Sequence, residues 1–319
     1  MFKHLFSMLS PNGPNGRVSI FIFHRVLGQK DVNRHLVPSV DEFDRMLGWI
    51  RAWFDVIPLS SAMRLLGEGR LPRRAACITF DDGYADNYLN ALPVLKKHGI
   101  HATFFVTSGY LDGGIMWNDV VSHSIFDTAL ESIDLSDVGL GSCVLATRAD
   151  RISVVGKINK AAKYMAYDAR ARYVSDLATR CGVSLPSSLM MSSDQLRKLA
   201  EEMEIGAHTV THPILAKLSN EQALSEIRDG KVALERVLGK PVDLFAYPNG
   251  QPGEDYREEH VRMVEQVGFS GAVSTAPGAA SIHSDRFQLP RYTPWAKRKW
   301  KFAVQLMNNL KHPSERAEH

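Results

Sequence analysis

At 319 residues, with 45% hydrophobic and 23% charged side chains, the chain carries enough apolar material for a full core and no compositional mark of disorder. That length admits one large α/β barrel or two modest domains. A net charge of +3 is too small to argue for nucleic acid, and three widely spaced cysteines, Cys77, Cys143 and Cys181, argue against a disulfide framework or a Cys-type zinc site.

The first nine residues are apolar with one lysine, then break at Ser10-Pro11-Asn12-Gly13. The run is too short to span a bilayer and lacks a signal core and cleavage site, so cytoplasmic residence is expected, with weak attachment to a membrane face left open. Arg17 to Phe23 is a β-prone run ending in His24-Arg25. Val40, Phe43, Leu47, Ile50 and Phe54 then recur at helical spacing behind a Ser39 cap. A short strand from Asp55 and a short helix from Ser60 lead to Ala75–Phe80, an apolar strand that stops at Asp81-Asp82-Gly83-Tyr84. Asn87 to His98 is predicted helical with Gly99 as its stop, and Ala102 to Val106 is a further strand. This βαβαβ rhythm calls for parallel strands covered by helices.

From about residue 112 to 191 the rhythm lapses into a helical insertion. Its Lys157, Lys160, Lys163, Arg170 and Arg172 are most simply a solvated face. It resumes with a strand over Glu204–Ala207 ending in His208-Thr209-Val210-Thr211-His212-Pro213. A long amphipathic helix follows Ser219, with Gln222 at capping-box spacing. Val242–Tyr247 is a strand ending in Pro248-Asn249-Gly250, Gly271–Ser274 another, and Phe287–Arg291 a last short one before a basic helix over Pro294–Leu310. The cluster Trp295, Lys297, Arg298, Lys299, Trp300 and Lys301 reads as a solvated helix face, contact with an acidic glycan or a membrane surface being the alternative.

Polar residues therefore fall at the carboxyl ends of separate strands: His24, Asp81-Asp82, His208 and Tyr247 to Asn249. In an α/β barrel those ends share one rim. A single aspartate after a strand is often only a helix cap, but two in succession exceed what a cap needs. His208 and His212 stand at ligand spacing, and Pro213 disfavours a helix there, so a strand-to-loop turn is expected to bring the two rings together. Two His and one carboxylate make a standard catalytic zinc shell, against the plainer reading of one core and one surface histidine.

The pairing of Thr79-Phe80-Asp81-Asp82-Gly83-Tyr84 with His208-Thr209-Val210-Thr211-His212 resembles the NodB-type polysaccharide deacetylases, carbohydrate esterases. The likeness runs over about residues 17–295. It implies a distorted (β/α) barrel, here one domain with the insertion at about 112–191, and metal-dependent removal of N- or O-acetyl groups from a sugar polymer. By that resemblance Asp82, His208 and His212 would hold the metal, zinc first with Co or Ni open, and Asp81 would be the general base. The Tyr247 amide, in Phe245-Ala246-Tyr247-Pro248-Asn249-Gly250, would stabilise the oxyanion, with Pro248 and Asn249 beside it.

Two departures matter. The family's third motif carries an arginine that pairs with the base, whereas Ala246-Tyr247 stands here, leaving Arg25 or Arg291 as the partner of Asp81. The family also ends in a Leu-x-x-His strand that supplies the general acid. Only His283, in a polar loop, follows, while Ile20-Phe21-Ile22-Phe23-His24 resembles that strand moved to the N-terminal side. This is similar to the circularly permuted, exopolysaccharide-biosynthesis branch, and makes His24 the candidate acid. Trp117 is a candidate substrate-facing wall. The expected function is hydrolysis of N-acetyl groups on a bacterial polysaccharide or its lipid-linked precursor. The alternatives are a deformylase or deacetylase of a lipid-linked monosaccharide and a non-catalytic glycan-binding barrel.

Overall fold

The computed structural model describes residues 2–34, 37–294, 296–312 and 316–317. Nine strands and eleven α-helices follow in chain order among these residues. Helix α1 (Phe2–Leu9) precedes β1 (Ser19–Phe23), α2 (Val40–Trp53), β2 (Asp55–Val56), α3 (Leu59–Gly67) and β3 (Ala75–Phe80). Then come α4 (Leu92–His98), entered through a π-turn at Asn87–Ala91, β4 (Thr103–Val106), and α5 (Trp117–Asp127). A hairpin of β5 (Ser132–Asp134) and β6 (Ser142–Val144) leads to α6 (Arg148–Ala162) and α7 (Tyr167–Cys181). The chain continues through α8 (Ser193–Ala200), β7 (Glu204–Ala207), α9 (Asn220–Leu238), β8 (Leu244–Ala246), α10 (Glu258–Gln266), β9 (Gly271–Val273) and α11 (Lys299–Lys311).

Seven strands make one parallel sheet in the order β1-β3-β4-β7-β8-β9, with β2 also against β3. The sheet curls, as in the NodB-type (β/α) barrel. The segment around Leu289–Tyr292 spans the gap between its ends, bridging Val273 on one side and Phe21 on the other. Tyr292 exchanges backbone hydrogen bonds with Ile20 and Ile22, and Leu289 with Ala272 and Ser274. Alternation along the strands sorts the side chains. Ile20, Cys77, Phe105, Ala246 and Val273 form the inner cluster, while Phe21, Phe23, Ile78, Phe80 and Phe104 pack outward under the helices. Gly206 is needed here, because a Cβ at that position would sit 2.4 Å from the Phe105 ring.

The insertion builds a small core of its own from Val121, Ile125, Leu135, Leu145, Ile158 and Leu177. Its two ends meet where the Asp112 amide donates to the Met191 carbonyl at 3.1 Å. The hairpin inside it was not anticipated, since strands of three residues with one buried position each leave almost no pattern. The expected solvated basic face holds at Lys157, Lys160 and Arg172, which are exposed, and is corrected at the other two. Arg170 is 5% exposed and stacks on Trp117, and Lys163 reaches the buried Asp255 at 3.2 Å. In α1, Phe6 is fully buried against Trp53 and Phe54, which ties the helix to the fold. No helix among the described residues is long and apolar enough to cross a membrane. Trp295 lies outside the described residues, and Trp300 is 55% exposed.

Candidate active site

Strand parity places the first acid. Cys77, Thr79 and Asp81 fall on the inner side of β3 and its extension, and Asp81 is 2% exposed. Asp82 would point the other way, but its φ of +76° and the +90° of Gly83 turn the chain as the strand ends. Both carboxylates thus line one cleft of about 560 Å³, with His24, His208, His212, Trp117 and Asn249 also in its wall.

Asp81 is held by Arg291 in a fork: both guanidinium nitrogens donate to the carboxylate at 2.7 Å. The same arginine donates to the Ser274 carbonyl at 2.9 Å and to the Thr79 hydroxyl at 3.2 Å, and it is 1% exposed. Burial would raise the carboxyl pKa, yet Arg291, with His208 behind it, overrides that and holds Asp81 down to about 2. Of the two arginines left open by the sequence, Arg291 is therefore the one that meets Asp81. Arg25 instead bonds Asp86 at 2.7 Å, approaches Asp119 at 3.7 Å and lies over the Tyr84 ring. It ties the end of β1 to the loop after β3, and it does not line the cleft.

The second acid has the opposite environment. Asp82 Oδ1 is buried without a hydrogen-bond donor. It lies 3.6 Å from His208 Nε2 and 3.4 Å from His212 Nε2. His208 is oriented by its Nδ1, which donates to the Ala246 carbonyl at 2.7 Å and turns Nε2 toward Asp82. Burial pushes Asp82 up, with His24 and His208 pulling the other way, and burial with the neighbouring His208 drives His212 well below its ordinary value. Two imidazoles beside a carboxylate oxygen without a hydrogen-bond donor are the donor set of a divalent cation. Ligands bonded tetrahedrally at about 2.1 Å stand about 3.4 Å apart, close to the spacing here. The three residues fit a metal, their ligand atoms all lying within 4.8 Å of one another.

The loop that carries His212 depends on a residue the sequence did not single out. Glu226, on α9, accepts the backbone amides of Val210 and Thr211 at 2.9 Å each and the Thr211 hydroxyl at 2.7 Å. It fixes a turn in which Thr209 and His212 both have positive φ, +65° and +55°. Gly230, one turn along α9, lets the helix approach, since a Cβ there would lie 2.8 Å from the Thr209 backbone. Asp86 and Asn87 were missed in the same way. They hold the Val26 amide at 3.2 Å and the His24 carbonyl at 2.8 Å, setting His24 over the cleft. His283 does not line the cleft.

The Tyr247 assignment is overturned. Its amide donates to the Val273 carbonyl at 3.2 Å, because the ladder between β8 and β9 runs one residue further than β8 itself. Its fully buried ring stacks on Tyr256 at 3.9 Å, outside the cleft. Pro248 has no N–H to offer. On that loop Asn249, with φ +58°, is the residue that lines the cleft.

A curled parallel sheet with Asp-Asp and His-His pairs converging at its carboxyl rim defines a class before any relative is considered: a barrel hydrolase with a metal-ready centre. The polysaccharide deacetylase family model matches residues 68–142 and 145–272, more than half of the chain. The chain belongs to that family, hydrolases acting on carbon–nitrogen bonds. A Bacillus subtilis protein named for the same family, YxkH, is 22% identical over 278 residues, 86% of this chain and 70% of its own. The poly-β-1,6-N-acetyl-D-glucosamine N-deacetylase of Staphylococcus aureus is 25% identical over 147 residues, 43% of this chain and half of that enzyme. In fold, the Streptococcus pyogenes deacetylase PplD matches with a TM-score of 0.61 at 19% identity, over 93% of this chain and 99% of its own. IcaB from Ammonifex degensii matches with 0.58 at 18%, over 95% and 99%.

Proposed function

We propose that this chain hydrolyses N-acetyl groups on the hexosamine units of a bacterial exopolysaccharide or of its lipid-linked precursor, with a divalent metal, zinc first, in the centre. The observation that carries this reading is the split of adjacent acids. Asp81 is locked to Arg291, and Asp82 is buried, unpartnered and faced by two imidazoles. Binding alone would not require a fixed base beside a cation site, which disfavours a non-catalytic glycan binder. The relative named for poly-β-1,6-N-acetylglucosamine supports the choice of polymer.

Asp82, His208 and His212 would hold the metal, which would supply Lewis acidity toward the amide carbonyl and the attacking water. Asp81, ionised at any working pH, accepts the water proton as the new C–O bond forms, and the Arg291 fork keeps its oxygens aimed. His24 gives a proton to the nitrogen as the C–N bond breaks, so that acetate and a free amine leave. Asn249, in the wall of the cleft, would donate to the developing oxyanion. Trp117 walls the cleft. The test is acetate release by the zinc-loaded protein from a panel of polymeric and lipid-linked N-acetylhexosamines. Release from at least one class supports the reading. Silence across the panel, with zinc bound, defeats it.

A further inference from the structure

Arg25 stands out in the sequence beside His24, and the reaction above leaves it without a task. The imidazole it follows has no orienting bond of its own. His24 is exposed, and among the described residues no group hydrogen-bonds its ring. The aim of that ring over the cleft therefore comes from the backbone of the turn that carries it. Three side chains from the segment after β3 hold this turn. Asn87 donates to the His24 carbonyl at 2.8 Å, Asn90 donates to the Val26 carbonyl at 2.7 Å, and Asp86 accepts the Val26 amide at 3.2 Å. Arg25 completes the set, its Nε donating to the other oxygen of Asp86 at 2.7 Å.

The far end of Arg25 reaches the insertion. Its Nη1 stands 3.7 Å from Asp119, in the first turn of α5. Its guanidinium carbon lies 4.5 Å from the centre of the Tyr84 ring, and the Tyr84 hydroxyl donates to the same Asp119 at 2.8 Å. Tyr84, Asp86 and Asp119 are all buried. One guanidinium thus serves two buried carboxylates and an aromatic face, which a planar fork can do and a point-like ammonium cannot. The same turn of α5 puts Trp117 and Asn118 into the cleft wall, with the Asp119 amide donating back to the Met116 carbonyl at 3.0 Å. Arg25 is therefore a buried link between the insertion's share of the cleft and the turn that carries His24.

We propose that Arg25 is a positioning residue for proton delivery by His24, and that Asp119 makes the insertion part of that placement. The proposal rests on the reading of His24 as the acid that protonates the leaving nitrogen. Arg25→Lys keeps a charge between the two carboxylates and loses the fork; Asp119→Asn keeps an acceptor for Tyr84 and loses the charge. Each variant, at the parent's zinc occupancy, is assayed on the N-acetylhexosamine of the panel above that the parent cleaves fastest. Each should lower kcat at least about tenfold, with KM within about threefold of the parent. Arg25→Lys/Asp119→Asn should be no slower than the slower single variant, because both break one link. Asp119→Asn alone serves if Arg25→Lys melts early. NMR of the zinc-loaded proteins, labelled in the histidine rings, reads the placement without turnover. The His24 signal, assigned by its loss in His24→Ala, should shift or broaden in the variants while those of His208 and His212 hold. Slower deacetylation with the His24 signal moved supports the proposal. A kcat within a few-fold of the parent, a rise in KM alone, or an unmoved His24 signal overturns it and leaves the deacetylase reading standing. A His24→Ala protein as fast as the parent overturns the acid reading itself, and a parent silent on the whole panel overturns the deacetylase reading.

Discussion

At the barrel rim, Asp81 and Arg291 are 2% and 1% exposed and meet through two matched hydrogen bonds; in the insertion wall across the cleft, Asn118 and Asn159 have buried oxygens with nothing to bond. The first arrangement is complete before any substrate arrives. Its charges are fixed by the sheet and by the segment that bridges β9 to β1. The second leaves two buried acceptors without a donor. The contrast separates a rim whose charges are already paired from a wall whose buried carboxamide oxygens are not. Asp82 belongs with the rim in position but shares with the wall a buried Oδ1 that has no hydrogen-bond partner.

Removing the metal should break the rim most completely. Dialysis against a chelator should abolish acetate release, zinc should restore it, and the apo protein should keep its fold by circular dichroism. Turnover that survives with no detectable metal would dissolve the contrast.

Next comes the ion pair. Arg291→Met leaves Asp81 buried and uncompensated, and should lower stability by about 3–5 kcal/mol in chemical denaturation. Asp81→Asn/Arg291→Met should recover much of that stability and none of the activity. A loss in the double variant equal to the sum of the losses in Asp81→Asn and Arg291→Met would show that the pair is not coupled.

The pH dependence follows from the same pair. Asp81 is held down to about 2 in the folded state, against an ordinary carboxyl value of 3.8. Its contribution to stability is therefore fully present above about pH 4 and is lost as the pH falls from there through about 2. Acid titration of the apo protein should show that loss in the parent and a smaller one in Arg291→Met.

A smaller effect is expected at Glu226. Glu226→Gln keeps the shape but weakens the grip on the Val210 and Thr211 amides, and should cost about tenfold in zinc affinity by chelator competition. Unaltered affinity would mean that the turn at His212 holds itself.

Much of the site could be read from the chain because it sits where strands end. Asp81, Asp82, His208 and His212 each interrupt an apolar run, and the barrel then needs only parity and a positive-φ turn to gather them. What the sequence hid depends on distant pairing. Arg291 could be named as a candidate but not chosen over Arg25, because its meeting with Asp81 requires the bridging segment between the sheet's ends. Tyr247 was mistaken because nothing local shows that the ladder with β9 takes its amide. Glu226, Asp86 and Asn87 act by side chain on a remote backbone, which leaves no periodicity. Lys163 and Arg170 looked solvated because the turn between α6 and α7 that brings them inward has no pattern of its own.

The most direct test of the account is acetate release by zinc-loaded Asp81→Asn at the same metal occupancy as the parent. The account expects full occupancy, since Asp82, His208 and His212 are untouched, and a turnover lower by about a thousandfold. Turnover within a few-fold of the parent, or loss of the metal with the substitution, would contradict the division of labour between the two adjacent acids.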